Sequence, residues 1–542
     1  MRQWMVAAKK ADFYAIAEKF HVDPVVARII RNREVIGEKN IRIYLGGNLS
    51  DLSDPHQMKD MDRLVEILAQ KIRKQVRIRI IGDYDVDGVT SSHLFLTALR
   101  RVGAKVDVVI PHRIQDGYGL SLHLLQQAKE DGVDTILTCD NGIAAIDEIA
   151  WAKAQKMTVL VTDHHAVPFE EHEGRRTEKK SLADAVVNPH QQDCGYPYKE
   201  LCGAGVAWNV IRVLYENYDM DKREAEDLLD FVAMATVCDV MSLTGENRIL
   251  VKEGLKRIRH TKNIGLQALM QACNVQPENI SAYHFGYVLG PCVNATGRLD
   301  TARHALRLFE TGQETEAEEI ARDLVDLNQE RKELTLQGVE MAKKLCEEGG
   351  YENDPVLVLF LPDVHESIAG LIAGRIREMY NRPVFVLTRG EEGVKGSGRS
   401  TENYSMYENM CGCVELFTKF GGHPMAAGLS LPEENVEKFR RKINENCPLT
   451  VEEVCPDIHI DMAMPVGYAS TELVHQFALL EPFGKDNPSP LFADRNLSIS
   501  RMWLIGKNRN VLRMSVLSEY GQPVPVIFFG DVETLFAYFT EK

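Results

Sequence analysis

No run of about 18 uninterrupted apolar residues occurs in the 542-residue chain, which argues against a membrane-spanning helix. The opening stretch, MRQWMVAAKKADFY, has neither the apolar core nor the cleavage site of a secretory leader, so a cytoplasmic home is expected. Cysteine is present but unorganised. The eleven cysteines include no Cys-x-x-Cys, and the close pair Cys411 and Cys413 has no second pair to complete a zinc cage. Reduced, mostly buried thiols suit a cytosolic redox poise. Positive charge is in deficit. A net charge of −16 argues against a general polyanion-binding surface. It leaves room for a nucleic-acid enzyme, because carboxylates that bind metal invert their local sign. The absence of Gly-x-x-x-x-Gly-Lys-Ser/Thr excludes a P-loop NTPase. No internal repeat and no low-complexity segment is present.

What is there is ordinary globular composition, 44% hydrophobic and 26% charged, in a chain too long for one core. The pattern predicts a multidomain α/β protein. Residues 1–75 read as an entry module of short helices. Residues 76–300 open with strand–helix alternation: VRIRIIGD, KVDVVIP, DTILTCD and TVLVTD are strands, with helical spacing over 91–103, 121–131 and 142–156. That repetition means a mainly parallel sheet with helices on its faces. Residues 301–350 form a long polar helical stretch, read as a connector between lobes or a solvated surface helix. Alternation resumes over 351–448, a smaller α/β domain. The short strands of 449–542 suggest a β-barrel compatible with an OB-fold.

Acids and imidazoles follow the apolar strands. Asp83, Asp85 and Asp87 lie in GDYDVDG, Asp140 in TCDNG, and Asp163, His164 and His165 in VTDHH; Asp239 ends an apolar helical run, ATVCDVMSL. Sites in open α/β sheets form at the carboxyl ends of the strands, so these groups can share one crevice. Crowded carboxylates repel one another and raise their own pKa values. Divalent cations relieve that repulsion, and Asp/His donors without cysteine suit Mn²⁺ or Mg²⁺. Two ions about 4 Å apart can activate water and steady a phosphoryl displacement. The rival readings fit less well. An EF-hand loop counted from Asp83 needs Glu at its twelfth position, which is Leu94. A haloacid-dehalogenase-like nucleophile at Asp85 leaves Asp-His-His unexplained. HESIA has Ala369 where a zinc-protease helix needs its second His. One Asp alone would read as a helix cap or turn residue.

GDYDVDGVTS, TCDNGIAA, VTDHH and VCDV resemble the four ordered motifs of the DHH phosphoesterase superfamily. NPHQQDCGYPYKELCGAGVAW, SLTGENR, GPCVNATGRLD, GSGRS, FGGHPMAAG and LEPFGKDNPSPLF are similar to further blocks of its RecJ family, over nearly the whole chain. The resemblance implies a 5′→3′ exonuclease on single-stranded DNA in bacterial recombination and repair, working with a helicase and a single-strand-binding protein. It implies metal-ligand positions at Asp85, Asp87, Asp140, His164 and Asp239, with Asp140 bridging two ions. Asp83 is expected to complete one site and Asp163 to orient an imidazole. His165 is the expected contact to substrate phosphate, although sequence leaves the division of roles between the histidines open. The family's Gly-x-Gly-Asn-Pro reads Gly484-Lys485-Asp486-Asn487-Pro488 here, and Asp can replace Gly where φ is positive. The additional C-terminal domain of larger members is expected to be absent.

Selectivity calls for a second lobe. GSGRS has the form of a phosphate-binding turn, with Ser397 and Arg399 as donors, or of a plain Gly-rich hairpin turn. The nearby Gly421-Gly422-His423 favours the first. The resemblance assigns Arg113, Ser397 and Arg399 to a 5′-terminal phosphate, and Arg298 to the scissile phosphate; an arginine bonding a helix C-terminus is the alternative at Arg298. Asn328 and Gln329 on the connector are expected to bond the strand backbone, and His423 to sit among the DNA contacts. The barrel is expected to bind the strand by stacking, with Trp503 either a stacking or a core residue. A small-substrate phosphodiesterase and a non-catalytic scaffold are the competing readings. The length and the barrel weigh against the first, and the intact motifs against the second.

Overall fold

The strand–helix alternation after residue 76 forms a five-stranded, all-parallel sheet in the computed structural model of the chain. The structure describes residues 4–113, 116–117, 119–172, 175–390, 393–454, 457–506 and 509–541. Two units are resolved. One comprises Gly47–Pro456 with Gly484–Asn487, the other Met1–Gly46, Asp457–Phe483 and Pro488–Lys542.

In the first unit the sheet strands are β1 (Arg77–Ile81), β2 (Lys105–Val109), β3 (Thr135–Cys139), β4 (Thr158–Thr162) and β5 (Ala185–Val187), in spatial order β2-β1-β3-β4-β5. The order reverses between β1 and β3, so the crevice falls where GDYDVDG and TCDNG leave the sheet. Both faces of the inner strands are buried, as expected of parallel strands. Ile78, Ile80, Leu137 and Leu160 face a large core shared with α1 (Val86–Arg101), α4 (Gly203–Asn217) and α5 (Leu229–Cys238). Ile81, Ile136, Val159 and Val161 face a smaller core under α2 (Leu122–Glu130) and α3 (Ile146–Ala154). Sequence spacing starts the first helix at Ser91, but α1 starts at Val86, because Asp85 caps it by accepting from Gly88 N at 3.0 Å. Asp87 therefore sits in a helical first turn.

A π-turn, Phe285–Leu289, runs into α6 (Gly290–Leu299). The connector is α7 (Glu314–Glu348), 35 residues and about 52 Å long. Its polarity is misleading. Ala317, Ile320, Ala321 and Leu324 join the large core, while Val339, Ala342 and Cys346 join the core of the next domain. One helix thus feeds two cores.

That domain holds β6 (Leu357–Phe360), α8 (Ala369–Tyr380), β7 (Val384–Gly390), β8 (Gly393–Arg399), β9 (Lys419–His423) and β10 (Ala426–Leu431), in sheet order β9-β10-β8-β7-β6. GSGRS is not a turn, and here the sequence reading is corrected. It lies in β8, between β7 and β10, up to Arg399. A Cβ on Gly396 would meet Leu387 Cδ2 at 2.3 Å, and one on Gly398 would meet Met406 Sδ at 2.6 Å. The glycines make room for packing; they do not reverse the chain.

The second unit pairs Trp4–Val6 with Ile458–Ile460 in parallel and packs three short helices, Phe13–Phe20, Pro24–Asn32 and Glu38–Gly46. Arg33 and Asp461 form a buried two-pronged ion pair at 2.6 and 2.9 Å. An antiparallel sheet of β11 (Ser498–Ile505), β12 (Val511–Leu517) and β13 (Pro523–Phe529) carries Trp503, 44% exposed and so not a core residue.

Candidate metal centre and anion cradle

Five carboxylates and two imidazoles meet at the carboxyl ends of β1, β3 and β4. Asp83 follows β1 with both oxygens buried; the backbone amides of Tyr84 and Gly119 act on it to favour its charge. Asp87 is gripped by the start of α4. Gly203 N donates to Oδ2 at 2.6 Å and Ala204 N to Oδ1 at 2.8 Å. The first amides of a helix have no partner within it, so they suit an anion. This explains the small-residue run CGAGVAW: a Cβ on Gly203 would come 2.6 Å from Asp140 Cβ.

Asp140 leaves β3 at φ 62°. Asn141 ties the ends of two strands together, donating from Nδ2 to Ile81 O at 3.0 Å and Cys139 O at 2.9 Å. Asp163 accepts four hydrogen bonds, from Ile143 N (2.8 Å), His164 N (2.7 Å), His165 N (3.1 Å) and His165 Nδ1 (2.8 Å). Its carboxylate is spent on shaping the turn and fixing one imidazole.

His164 Nε2 lies 3.0 Å from Asp140 Oδ1, 3.6 Å from Asp239 Oδ2 and 3.7 Å from Asp87 Oδ2. It is buried and makes no hydrogen bond. Three donor sets each bring their ligand atoms within 4.8 Å of one another: Asp83–Asp85–Asp140, Asp87–His164–Asp239 and Asp140–His164–His165. Asp140 and His164 are each shared. Burial first, and neighbouring carboxylates second, raise the pKa values of Asp83, Asp85, Asp140 and Asp239. Burial opposes charge on His165 as well, but the Asp163 hydrogen bond and surrounding carboxylates push it up to about 9. Buried oxygen and imidazole donors with a surplus of negative charge fit hard divalent cations, and the shared Asp140 fits a pair of them.

Arginines gather beside this cluster. Arg298, in the last turn of α6, donates from Nη1 to Ser367 O at 2.6 Å. Its pKa falls to about 10 through burial and then through Arg113, Arg331 and Arg399. Arg113 lies over the Tyr84 ring at 4.9 Å. Arg399 Nη1 donates to Gly398 O at 2.7 Å and Ser397 Oγ at 3.3 Å. Both Ser397 and Arg399 face α8, where a Cβ on Gly370 would meet Ser397 Oγ at 2.7 Å. His423 is exposed at the end of β9.

The two connector residues are placed differently. Asn328 is buried, donating to Cys292 Sγ at 3.4 Å and accepting from Arg331 Nε and Nη2 at 3.1 and 2.8 Å. Its polar atoms orient Arg331. Gln329 is exposed and bonds Glu333 at 2.7 Å. Sequence reading missed Arg331, whose signal was the Asn-x-x-Arg helical spacing. It also missed Asn294, which accepts from Val86 N at 3.2 Å, and Lys485, whose charge acts on Asp239. Asp486 takes φ 60°, so Asp does stand in for Gly in that loop.

Family models match the DHH family N-terminal domain over residues 77–236, the DHHA1 domain over 353–447 and the RecJ OB domain over 460–542. The chain is 34% identical to a single-stranded-DNA-specific exonuclease RecJ of Haemophilus influenzae, covering 92% of this chain and 88% of that protein. It is 33% identical to the Bacillus subtilis RecJ over 94% of this chain, but spans only 63% of that relative. A crystal structure of Thermus thermophilus RecJ in complex with Mn²⁺ is similar at a TM-score of 0.81 and 28% identity, covering 98% of this chain and 74% of that one. With all three domains matched in order and a carboxylate–histidine centre at the sheet's switch point, the chain belongs to the RecJ family of DHH proteins.

Proposed function

We propose that the chain is a two-metal-ion exonuclease that degrades single-stranded DNA in the 5′→3′ direction to mononucleotides, in DNA repair and recombination. The observation that carries this reading is the pair of donor sets, Asp83–Asp85–Asp140 and Asp87–His164–Asp239, His164 lying against Asp140 at 3.0 Å. Divalent cations, Mn²⁺ or Mg²⁺, supply Lewis acidity and an activated water when bound. Asp83, Asp85 and Asp140 would hold one, and Asp87, His164 and Asp239 the other, with Asp140 common to both. Asp163 orients His165, which meets substrate phosphate. Arg298, anchored on Ser367, balances charge on the scissile phosphate.

Arg113, Ser397 and Arg399 hold the 5′-terminal phosphate, with His423 at the rim. Polarity follows, because a strand entering the other way presents no such group. Asn328 acts through Arg331, and Gln329 lies on the exposed face of the connector towards the strand. The residues matching the OB domain bind the strand, with Trp503 as a stacking candidate. A helicase would supply the single strand, a single-strand-binding protein would present it, and the cytoplasm is the compartment. Among the described residues no helix is long and apolar enough to cross a membrane.

The test is digestion of a 5′-phosphorylated single strand, labelled at either end, with Mn²⁺. Mononucleotides should appear first from the 5′ end, and Asp140→Ala should lower the rate about 100-fold or more. Release from the 3′ end would refute the phosphate assignment. Robust activity in Asp140→Ala would refute the two-metal reading.

A further inference from the structure

We infer that Tyr283 and Tyr287 form a base-stacking platform that grips the single strand beside the metal centre. The inference rests on the reading of the chain as a single-strand nuclease. Both rings stand in solvent, 62% and 72% exposed, yet they stack on each other, with centroids 5.1 Å apart and planes 24° from parallel. Such a pair has no packing role to explain it. The inner side of the same turn is fully committed: Phe285 and Leu289 are completely buried.

Position links the pair to the site. The tyrosines flank and occupy the π-turn Phe285–Leu289, which runs without a break into α6 and so to Arg298. π-turns inside helices are frequently found at functional sites. The turn is docked on the end of α5. Cys238 Sγ donates to Phe285 O at 3.3 Å, and a Cβ on Gly290 would come 2.3 Å from Cys238 Sγ. Cys238 precedes Asp239, and Val240 on its far side is 63% exposed. The turn that carries the ring pair is thus held against the end of α5, which leads directly into Asp239, a metal-donor carboxylate. Below it, Ser281 Oγ and His284 Nδ1 bond at 3.0 Å and stiffen the segment's start.

The chemistry favours nucleobases as the occupant. Every base has a π-face, so a tyrosine surface grips any sequence. At a net charge of −16 the chain has no overall surplus of cations for phosphates. Stacking holds the strand with little dependence on salt, unlike ion pairing with phosphates.

The experiment uses the full chain with Mn²⁺ and a long 5′-phosphorylated single strand. Tyr283→Ala/Tyr287→Ala should raise KM about tenfold, with kcat moving less than about twofold. Tyr283→Phe/Tyr287→Phe, which keeps the rings, should behave like the parent. Strands carrying 2-aminopurine should be quenched on binding to the parent and to the Phe variant, and much less by the Ala variant. An Ala variant with parental KM and quenching overturns the inference while leaving the nuclease reading intact. A parent chain that does not degrade single strands overturns the nuclease reading, and this inference with it. Loss of a protein partner's binding with unchanged KM would give the face to that partner and also overturn the assignment.

Discussion

At Asp140 the backbone takes φ 62°, a left-handed conformation that Asp tolerates better than most residues but that still stores strain. The strain is held by what surrounds it, and Gly203 is the tightest neighbour, with room for no methyl group. Gly203→Ala should therefore act at two points. It would push on Asp140 and shift the two amides that hold Asp87. The expected outcome is Mn²⁺ affinity reduced about 10- to 100-fold by calorimetric titration, with the circular dichroism spectrum unchanged. Parental affinity would show that Asp140 is not held where the geometry requires. The acids themselves were legible in the sequence, because each follows an apolar run. The amides that grip Asp87 were not, since a backbone N–H has no letter; only the small residues of CGAGVAW hinted at a close approach.

The strand β8 shows how a glycine-rich sequence can be assigned to the wrong element. Gly-Ser-Gly-Arg looks like a turn because glycine favours turns. Strand alternation explains it better. Ser397 and Arg399 share the face towards α8, and Gly396 and Gly398 share the other, pressed on Leu387, Leu429, Phe385 and Met406. The polar side chains sit on one face and the packing on the other. Gly398→Val should overpack that second face, where Phe385 Cε1 would be 2.7 Å from the new Cβ. A loss of about 1–3 kcal/mol is expected, read as a lower denaturation midpoint, while Mn²⁺ affinity stays at the parental value. A variant as stable as the parent would mean that the sheet yields there. The connector helix teaches the converse. Its polar composition hid two short apolar stripes, each aimed at a different core, because 35 residues average them away.

Across the whole molecule, the metal centre links stability to pH and to metal. Four carboxylates carry pKa values raised by burial and by each other. A raised carboxylate pKa means the folded chain binds more protons than the unfolded one at intermediate pH. The stability this brings is fully present below the unfolded value of about 4 and is lost as pH rises through the folded values. At neutral pH the metal-free chain therefore carries costly carboxylate repulsion in the crevice at the strand ends. Bound cations remove it, and at 100 times Kd a ligand that binds only the folded state stabilises by about 2.7 kcal/mol. Mn²⁺ should thus raise the thermal midpoint by a few degrees at pH 7.5, roughly 1 °C per kcal/mol for a unit of this size. The gain should shrink steadily towards pH 5, as protons compete for the same oxygens, and EDTA should abolish it at any pH. A gain that is the same at both pH values would mean the ions bind somewhere other than at these carboxylates, because only titrating ligands make metal and proton mutually exclusive.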